Sequence, residues 1–365
     1  MDSRIGTTWL VGAAVVAASC ASDGGPATDA ADTANPGSAA DVVVTDPTSE
    51  VTTTAAAPPS TIVETTTTTA ATTTTEPPLP VPEALQQYNF PVSDEWVVET
   101  VVADIDSGTG GLAIDANGVM YVGDFGQPDK PGTQVRRIQP DGTIDAFATA
   151  EGMRSLTMTT FGADGTMYQS SYGSDEVYTI DAEGNATLLT SSVRSPTGLA
   201  PLDDGSVLVA SYGTAKIFRV APDGEASEWV ASRRFRGLNS LALGPDGTVY
   251  AADHRDGQVF AIPPDGEVEL LVNFPKPTSH VAYLDGSLFV TSRGAYLVFR
   301  YDLATGDVEI IAGNGEPGDA DGRGVEASFG RPNAITVGPD GALYMNHGDG
   351  DSNFPVTIRR ISHQP

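Results

Sequence analysis

Three of the four histidines have positions that would allow metal binding or proton transfer once the chain folds. His254, His280 and His347 each lie beside a short apolar run. Neutral imidazole is a common ligand of Zn²⁺ and related transition metals, and three imidazoles leave one coordination position open for a substrate. No His-x-x-x-His spacing joins them. The fold therefore decides whether they form one metal site or remain separate surface or channel-lining histidines.

A second candidate for metal binding is the acidic stretch HGDGDSNF. Asp349, Asp351 and Asn353 stand at alternate positions, as at the start of a calcium-binding loop. The glycine and the terminal glutamate of such a loop are missing, since its twelfth position is Arg360. We expect an oxygen-rich pocket only if Asp319 and Asp321 fold over this stretch; a solvated acidic loop is the alternative.

Catalysis by an activated serine or cysteine is not indicated. The sequence contains no G-x-S-x-G elbow, and its one cysteine, Cys20, lies near the N-terminus. The tripeptide SYG, found at Ser171 and again at Ser211, reads as a repeated turn. The chemistry of this chain must therefore come from the histidine, amide and carboxylate groups.

The elements that would position these groups follow a repeat. Turns ending in glycine recur in two series, at Gly118, Gly165, Gly205, Gly247, Gly286 and Gly341, and at Gly142, Gly184, Gly224, Gly266 and Gly306. Most lie between alternating apolar runs, which predicts β-hairpins because glycine accepts the positive φ of such turns. Members of the second series are 40 or 42 residues apart. Four strands in each unit of about 40 residues are typical of a propeller blade.

The count of turns also predicts how the ring closes. Six turns of the first series and five of the second leave the sixth blade without its fourth strand. Residues 95–105, EWVVETVVADI, alternate as a strand with no partner of their own. We predict that they supply the missing strand, because closure removes exposed sheet edges. The fold class is thus all-β, a six-bladed β-propeller over residues 83–365, closed by an N-terminal strand.

The repeats resemble NHL repeats and, more distantly, the gluconolactonase and senescence-marker (regucalcin-like) family. The residues that carry this resemblance are GLNSLALGPDGTVYAADHRDGQVFAIPPDG, GRPNAITVGPDGALYMNHGDG and the loop IAGNGEPGDADGRGVEASFGRPNAI. The resemblance covers the whole predicted propeller and implies its fold. It leaves function open, since such propellers serve as lactonases, lyases, sensors and binding platforms.

The gluconolactonase-like resemblance also implies a divalent-metal site. That family uses a glutamate of the first inner strand with an asparagine and an aspartate at the starts of others, and Asn239 and Asn333 match the asparagine type. The first blade offers GTGGLAID without a glutamate, and His280 stands where an aspartate is expected. The residues left as metal candidates, with Ca²⁺, Mn²⁺ or Zn²⁺ as the ion, are Asn239, His280, Asn333, Asp349 and Asp351.

The repeat assigns each residue to a face of the propeller. Both series of Asp-Gly turns fall on one face, the bottom, whereas the irregular loops fall on the top, where binding usually resides on a rigid scaffold. Arginines are found on the top face, and one interpretation is that they bind an anionic or polar small ligand at its centre. The alternative is that the bottom turns require Asp and Gly, so that basic residues remain only on the top. The predicted ligand-binding residues are Asn239, Asp253, His280, Asn333 and His347 at the channel mouth, with Arg154, Arg255 and Arg293 at its rim.

The N-terminal region has a different character. IGTTWLVGAAVVAA, whose last two residues open the stretch AASC that ends at Cys20, resembles a bacterial lipoprotein signal. The resemblance implies a signal peptide over residues 1–19 and a lipid on Cys20; Ala17 stands where such signals usually have leucine. An ordinary secretory signal is the alternative. Residues 20–82 are rich in Thr, Ala and Pro, with few large apolar side chains, and predict a disordered stalk.

Charge limits the partners. A net charge of −29 argues against nucleic-acid binding, which requires many basic residues. We therefore expect a monomeric, extracytoplasmic, lipid-anchored β-propeller of the cell envelope that binds a small molecule or an envelope protein through its top face, and that contacts the membrane only through its lipid. The alternatives are a metal-dependent hydrolase or lyase of gluconolactonase-like type, and a structural envelope protein in which the stalk matters most.

Overall fold

The computed structural model describes residues 79–127 and 129–364, and the predicted signal peptide, Cys20 and nearly all of the predicted stalk lie outside them. Within the described part, two short 3-10 helices occur at Glu83–Leu85 and Gly324–Glu326, and all other regular structure is β. No helix in this part is long and apolar enough to span a membrane. In chain order the strands are β1 (Trp96–Ile105), β2 (Thr109–Ile114), β3 (Met120–Asp124), β4 (Gly126–Gln127), β5 (Lys130–Pro131), β6 (Gln134–Ile138), β7 (Ile144–Thr149), β8 (Leu156–Phe161), β9 (Met167–Ser171), β10 (Glu176–Ile180), β11 (Ala186–Thr190), β12 (Pro196–Pro201), β13 (Val207–Ser211), β14 (Lys216–Val220), β15 (Ala226–Ala231), β16 (Leu238–Leu243), β17 (Val249–Asp253), β18 (Gln258–Ile262), β19 (Glu269–Asn273), β20 (Thr278–Leu284), β21 (Ser287–Ser292), β22 (Leu297–Asp302), β23 (Val308–Ala312), β24 (Gly322–Arg323), β25 (Pro332–Val337), β26 (Leu343–Gly348) and β27 (Val356–His363).

The strands form six antiparallel blades. Blade 1 contains β2, β3, β6 and β7; blade 2 contains β8 to β11; blade 3 contains β12 to β15; blade 4 contains β16 to β19; and blade 5 contains β20 to β23. Blade 6 contains β25, β26, β27 and β1, with the short β24 at its outer edge. The predicted six-bladed propeller is confirmed.

The predicted closure by the N-terminal strand is also confirmed. β1 pairs antiparallel with β27 from Trp96 opposite His363 to Ile105 opposite Val356. The ladder completes the sheet, and Ile105 is then buried with Leu112 and Ile358 between blades 6 and 1. The same kind of apolar cluster fills each of the other five junctions between neighbouring blades. Ring closure therefore buries apolar surface at the sixth junction as at the others.

The residues before β1 cover the outside of blade 5. Leu85 is 1% exposed and shares an apolar cluster with blades 4 and 5, and Val92 forms a bridge with Ile310 of β23. The half-buried Leu79 packs against the same cluster. Among the described residues, contact with the propeller therefore includes Leu79, the first of them.

The bottom face consists of the predicted turns. All eleven turn glycines have φ between +75° and +89°, which is the conformation that glycine adopts without strain. In seven of these turns the aspartate before the glycine accepts a backbone hydrogen bond from two residues on, as from Thr248 N to Asp246 Oδ1 at 3.0 Å. These hydrogen bonds hold the pKa of the Asp246 carboxyl below its ordinary value. The acids of this face therefore stabilise turns.

Candidate functional site

A cavity of about 450 Å³ opens at the centre of the top face. It lies where the six inner strands begin and where the loops that follow the second strands turn back, so every blade contributes to it. We call it the mouth. Its lining residues are Thr109, Gly110, Phe125, Thr157, Tyr172, Thr197, Tyr212, Asn239, His254, Pro277, Ser279, His280, Arg293, Gly294, Tyr296, Arg331, Asn333, Asp351 and Asn353.

The second residue of every inner strand lies in the mouth. We call this set the inner-strand ring: Gly110, Thr157, Thr197, Asn239, Ser279 and Asn333. In each inner strand the pairing register shifts just after the first residue. A register break of this kind re-aims side chains locally, which accounts for the common position of these six residues.

Hydrogen bonds connect this ring from one blade to the next. Asn239 Nδ2 donates to Ser279 O at 3.1 Å, Ser279 Oγ donates to Asn333 Oδ1 at 2.8 Å, and Asn333 Nδ2 donates to Gly110 O at 2.8 Å. Thr157 and Thr197 likewise donate to the inner strands of blades 3 and 4. Asn239 and Asn333, both predicted as ligand or metal residues, therefore also hold neighbouring blades together.

Gly110 interrupts this series because there is no room for a side chain. A Cβ there would lie 2.1 Å from Gly123 O and 2.4 Å from Leu156 O, well inside van der Waals contact. The first inner strand therefore approaches blade 2 by its backbone alone. This explains why GTGGLAID has no glutamate at the position that the gluconolactonase-like resemblance requires.

A second set of six residues stands directly behind the mouth. The side chain at or next to the end of each second strand bonds to the backbone of the loop that leads into the inner strand. The bonds are Gly108 N to Asp124 at 2.7 Å, Arg154 N to Ser171 at 2.8 Å, Ser211 to Arg194 O at 2.5 Å, Gly237 N to Asp253 at 2.8 Å, Ser292 to Pro275 O at 2.6 Å and Gly330 N to His347 at 3.0 Å. We call Asp124, Ser171, Ser211, Asp253, Ser292 and His347 the bracing ring.

Membership of the bracing ring corrects two predicted positions. Asp253 is 0% exposed, and its carboxylate also accepts hydrogen bonds from Arg236 N at 2.6 Å and Arg255 N at 3.1 Å. His347 is 1% exposed and its Nε2 lies 3.3 Å from Nη1 of the buried Arg359. Neither residue lines the mouth, because both side chains are used to hold backbone behind it.

The residue after each bracing residue faces the mouth in five blades. We call Phe125, Tyr172, Tyr212, His254 and Arg293 the lining ring. Its first four members form an aromatic arc over blades 1 to 4, in which successive ring centroids are 6.4, 6.1 and 6.3 Å apart. His254 Nδ1 contacts Thr278 O, and burial, followed by the charge of Arg293, lowers the pKa of His254. At neutral pH the arc is therefore uncharged.

Blades 5 and 6 give the opposite side of the mouth a different chemistry. Arg293 donates to Asn333 Oδ1 at 2.7 Å and to Asn353 Oδ1. Arg331 forms an ion pair with Asp351 at 2.6 Å, and Tyr296 also donates to that carboxylate at 2.9 Å. Burial, followed by the charge of Arg331, lowers the pKa of Arg293 to about 10. The Arg293 guanidinium thus remains charged at neutral pH.

His280 lies deeper in the channel. It is 3% exposed, and its Nδ1 is 3.1 Å from Asn333 O. Burial lowers its pKa to about 3, so the ring is neutral and Nδ1 carries the proton that this carbonyl accepts. Nε2 is then an unprotonated acceptor, and it is buried without a hydrogen-bond partner among the described residues. Its lone pair could bind a metal.

The three predicted histidines are not brought together, whereas a metal role of Asn239, His280 and Asn333, which share the mouth, stays a prediction. His254 and His280 line the mouth, but His347 does not, so the three histidines do not converge. Asp351 is held by Arg331, while Asp321 pairs with Arg359 at 2.5 Å, away from Asp351. Residues 79–127 and 129–364 contain no group of three or more His, Cys, Asp or Glu side chains that could hold a metal ion. The acidic loop contacts arginines instead, since Asp351 pairs with Arg331 and Asn353 accepts from Arg293.

The other predicted residues divide between the mouth and its surroundings. Asn239, His280, Asn333 and Arg293 line the mouth together, and Asp351 joins them at its edge, whereas Asp349 does not line it. Arg255 is exposed and stacks over the Tyr212 ring, 4.9 Å from its centroid. The Arg154 side chain is exposed and is not part of the mouth lining.

Sequence reasoning missed the aromatic arc. Phe125, Tyr172 and Tyr212 follow directly on GD, SS and AS at the ends of second strands. The repeated SYG was interpreted only as a turn, although an aromatic residue at the same place in successive blades predicts neighbouring rings at the mouth. Arg331 and Tyr296 were missed as well, since they lie in loops without a periodic signal.

No protein-family model matches the sequence, and no curated protein matches it. Several solved structures, however, are similar to it. A catalytically inactive histidine-to-alanine variant of virginiamycin B lyase from Staphylococcus aureus, solved with quinupristin, has a TM-score of 0.52 and 13% identity, covering 73% of this chain and 99% of that one. A gluconolactonase from Xanthomonas campestris has a TM-score of 0.53 and 17% identity, covering 73% and 89%.

A third similar structure is an auxiliary nutrient binding protein from Bacteroides ovatus. Its TM-score is 0.59 and its identity 14%, covering 75% of this chain and 78% of that one. At these identities the likeness establishes the fold. The neighbours include a lyase, a lactonase and a binding protein, so the site itself must decide among these functions.

Proposed function

We propose that this protein is an extracytoplasmic binding protein, anchored by a lipid on Cys20, which binds a small molecule in the mouth of its propeller. One observation carries the proposal: the mouth is lined by all six blades with side chains that differ from blade to blade, in contrast to the repeated turns of the bottom face. A volume of about 450 Å³ suits a small ligand. The alternative partner is an envelope protein that inserts a side chain into the mouth.

The lining supports binding by two kinds of contact. The aromatic arc offers flat apolar surface for a ring or sugar face, and the amide and guanidinium groups of blades 5 and 6 offer fixed polar contacts. Ligand sites commonly combine apolar walls with a few well-placed polar groups. Asn333 and Asn239 are already held by hydrogen bonds between blades, so the polar side needs little ordering on binding.

A thermal-shift and calorimetric screen of small sugars, sugar acids and aromatic acids tests this proposal. A compound that binds at one-to-one stoichiometry to the wild type and about tenfold more weakly to Tyr172→Ala supports it, since loss of one stacked ring costs roughly this much. Leu188→Ala, at an exposed position that does not line the mouth, is the control. Binding that Tyr172→Ala leaves unchanged would place the ligand elsewhere.

The lipid anchor has its own test. The sequence AASC before Cys20 supports it. Metabolic labelling with a fatty-acid analogue should mark the wild-type protein and leave Cys20→Ala unmarked. Equal labelling of both proteins would contradict the anchor.

A metal-dependent hydrolase or lyase of gluconolactonase-like type is the second candidate. The observation in its favour is the unprotonated, unpartnered Nε2 of His280 in the same cavity as Asn239. Elemental analysis of the purified protein, with lactone hydrolysis assayed in added Ca²⁺, Mn²⁺ or Zn²⁺, decides. A stoichiometric metal that is lost in both Asn239→Ala and His280→Ala would replace the binding proposal with the enzyme.

A further inference from the structure

The inference begins with the charge of the mouth. The whole chain has 48 acidic and 19 basic residues, so an arginine in the mouth has many acids available as partners. The mouth lining nevertheless contains two arginines and a single aspartate. That aspartate, Asp351, is already paired with Arg331 at 2.6 Å and accepts from Tyr296. The lining therefore has one positive charge in excess, on Arg293.

Arg293 is held in place without being neutralised. Its two described hydrogen bonds go to the neutral amide oxygens of Asn333 and Asn353, and no carboxylate of the described residues lies within ion-pair distance of it. A guanidinium has five N–H donors, so three have no partner within residues 79–127 and 129–364. Arg293 is half-buried, and the charge of Asp351 offsets part of its own from beyond ion-pair distance. A ligand anion would balance the remaining positive charge, which is costly to leave in water-poor surroundings.

The position of Arg293 is also fixed in advance. Asn333 accepts from both Arg293 and Ser279 and donates to Gly110 O. The guanidinium is thus attached to the hydrogen-bonded inner-strand ring. The uncharged rings of the aromatic arc line the rest of the mouth, Phe125, Tyr172 and Tyr212 from blades 1 to 3 and His254 from blade 4, which neighbours Arg293. One side of the cavity suits an oxyanion and the other suits a flat, uncharged body.

We infer that the ligand of the mouth is a small organic anion, a ring that carries a carboxylate, with the carboxylate bound by Arg293 and the ring against the aromatic arc. A guanidinium binds a carboxylate through two parallel N–H groups. The inference rests on the proposed binding function and adds the ligand's charge and shape to it. Arg255, above Tyr212, places a second cation at the entrance.

The test compares matched anionic and neutral probes on the intact protein by isothermal calorimetry. The pairs are D-glucuronate with D-glucose and 4-hydroxybenzoate with 4-hydroxybenzamide, with sodium sulfate as an inorganic anion. In at least one pair, wild-type protein should bind the anion 10-fold or more tightly than its neutral partner, because a hydrogen bond to a charged group contributes at least about this factor. Which pair responds distinguishes a sugar acid from an aromatic acid.

Arg293→Gln should abolish the preference for the anion and leave the neutral probe's affinity within about threefold of wild type. Arg293→Lys should retain part of the preference, since the charge remains but the paired N–H groups are lost. The matched control is Arg234→Gln, an exposed arginine that does not line the mouth and should change neither value. If Arg293→Gln does not fold, Asn353→Ala removes one of the two groups that hold Arg293 and should reduce the preference.

The outcomes separate this inference from the function on which it rests. Equal binding of anion and neutral partner, lost in Tyr172→Ala, would keep the binding function and overturn the inference. Sulfate that binds as tightly as the organic anions would overturn the role of the ring. Absence of saturable binding by every probe would overturn the binding function itself.

Discussion

Asp253 and His254 are adjacent in the chain and belong to two different rings of the propeller. The Asp253 carboxylate is fully buried and accepts backbone hydrogen bonds from the loop that leads into β16, whereas His254 lies in the mouth. Ser292 and Arg293 repeat this division one blade further on. Since successive side chains of a strand point to opposite sides, one step along the chain separates the bracing ring from the lining ring.

The two rings differ in what each blade requires. The bracing ring needs only a polar atom that reaches backbone, and aspartate, serine and histidine all supply it. The lining ring changes from uncharged rings in blades 1 to 4 to a guanidinium in blade 5. Residue types that look catalytic therefore occur in the structural ring, while the ligand-facing ring is recognised by how its chemistry differs between blades.

The largest expected effect comes from breaking the bracing ring. Asp253→Ala leaves the buried N–H groups of Arg236 and Gly237 without acceptors, and the free energy of unfolding should fall by about 3 kcal/mol or more. Urea denaturation followed by circular dichroism measures this. His254→Ala, one residue away, should change stability by less than about 1 kcal/mol. Similar losses in both variants would mean that the two rings do not have separate roles.

The dependence of stability on pH tests two buried histidines, His347 of the bracing ring and His280 deeper in the channel. Burial lowers the pKa of His347 to about 4 and that of His280 to about 3, both below the value of about 6.5 for an unfolded chain. As the pH falls, these histidines are therefore protonated at a higher pH in the unfolded state than in the folded state. Stability should be fully present above pH 6.5 and fall between pH 6.5 and about 4, by up to about 1.4 kcal/mol per pH unit for each histidine.

His347→Gln should reduce the slope of the unfolding free energy against pH by the contribution of one histidine, because the titrating ring is gone. Leu188→Ala, at an exposed position with no titrating side chain, is the control and should leave the slope unchanged. Denaturant titrations at pH 7, 6, 5 and 4.5 give the slopes. A His347→Gln protein with the wild-type slope would show that His347 does not contribute to acid sensitivity.

A smaller effect is expected in the lining ring. Tyr212→Ala removes one ring of the arc and should weaken binding of the best probe about 10-fold, at unchanged stability. Tyr212→Phe keeps the ring and loses only the hydroxyl that accepts from Arg255 Nε at 3.2 Å, so its affinity should stay within about threefold. Calorimetry and a thermal melt of each variant check both statements. Equal losses in the two variants would assign the contact to the hydroxyl.

The smallest effect concerns the entrance. Arg255 is exposed and stacks on Tyr212, so Arg255→Met should reduce affinity for an anionic probe only about two- to fivefold. The loss should appear in the association rate and shrink as salt is raised. Stopped-flow measurements at two salt concentrations test this. A larger loss that is independent of salt would place Arg255 among the ligand contacts inside the mouth.

The fold could be predicted because it depends on a repeated signal. Eleven glycine turns at a regular spacing fix the blades, and the unpartnered alternation of residues 95–105 fixes the closure. Which residues line the site, in contrast, depends on a shift of one position along the chain. Asn239, His280 and Asn333 were predicted at the mouth and line it, but Asp253 and His347 fall in the bracing ring, and Arg293, predicted at the rim, lines the mouth itself. Polar type alone does not distinguish the two, since both rings contain polar residues.

The contacts of the candidate calcium loop could not be predicted for a related reason. Alternate oxygen ligands were read from Asp349, Asp351 and Asn353, yet two of these contact arginines that are distant in sequence. Arg293 and Asn353 are 60 residues apart, and only the ring brings them together. Spacing within one loop carries no information about such contacts.

The position of β1 has a consequence for how the molecule is made. Glu99 of β1 forms an ion pair with Arg360 of β27 across 261 residues of chain. A ribosome therefore synthesises this strand near the beginning of the domain, and its partner only at the end. Until then its backbone N–H and C=O groups remain an open edge. A chain that stops before β27 is consequently not a smaller propeller, because its first and last blades lose their junction together. Contacts so distant in sequence also slow folding.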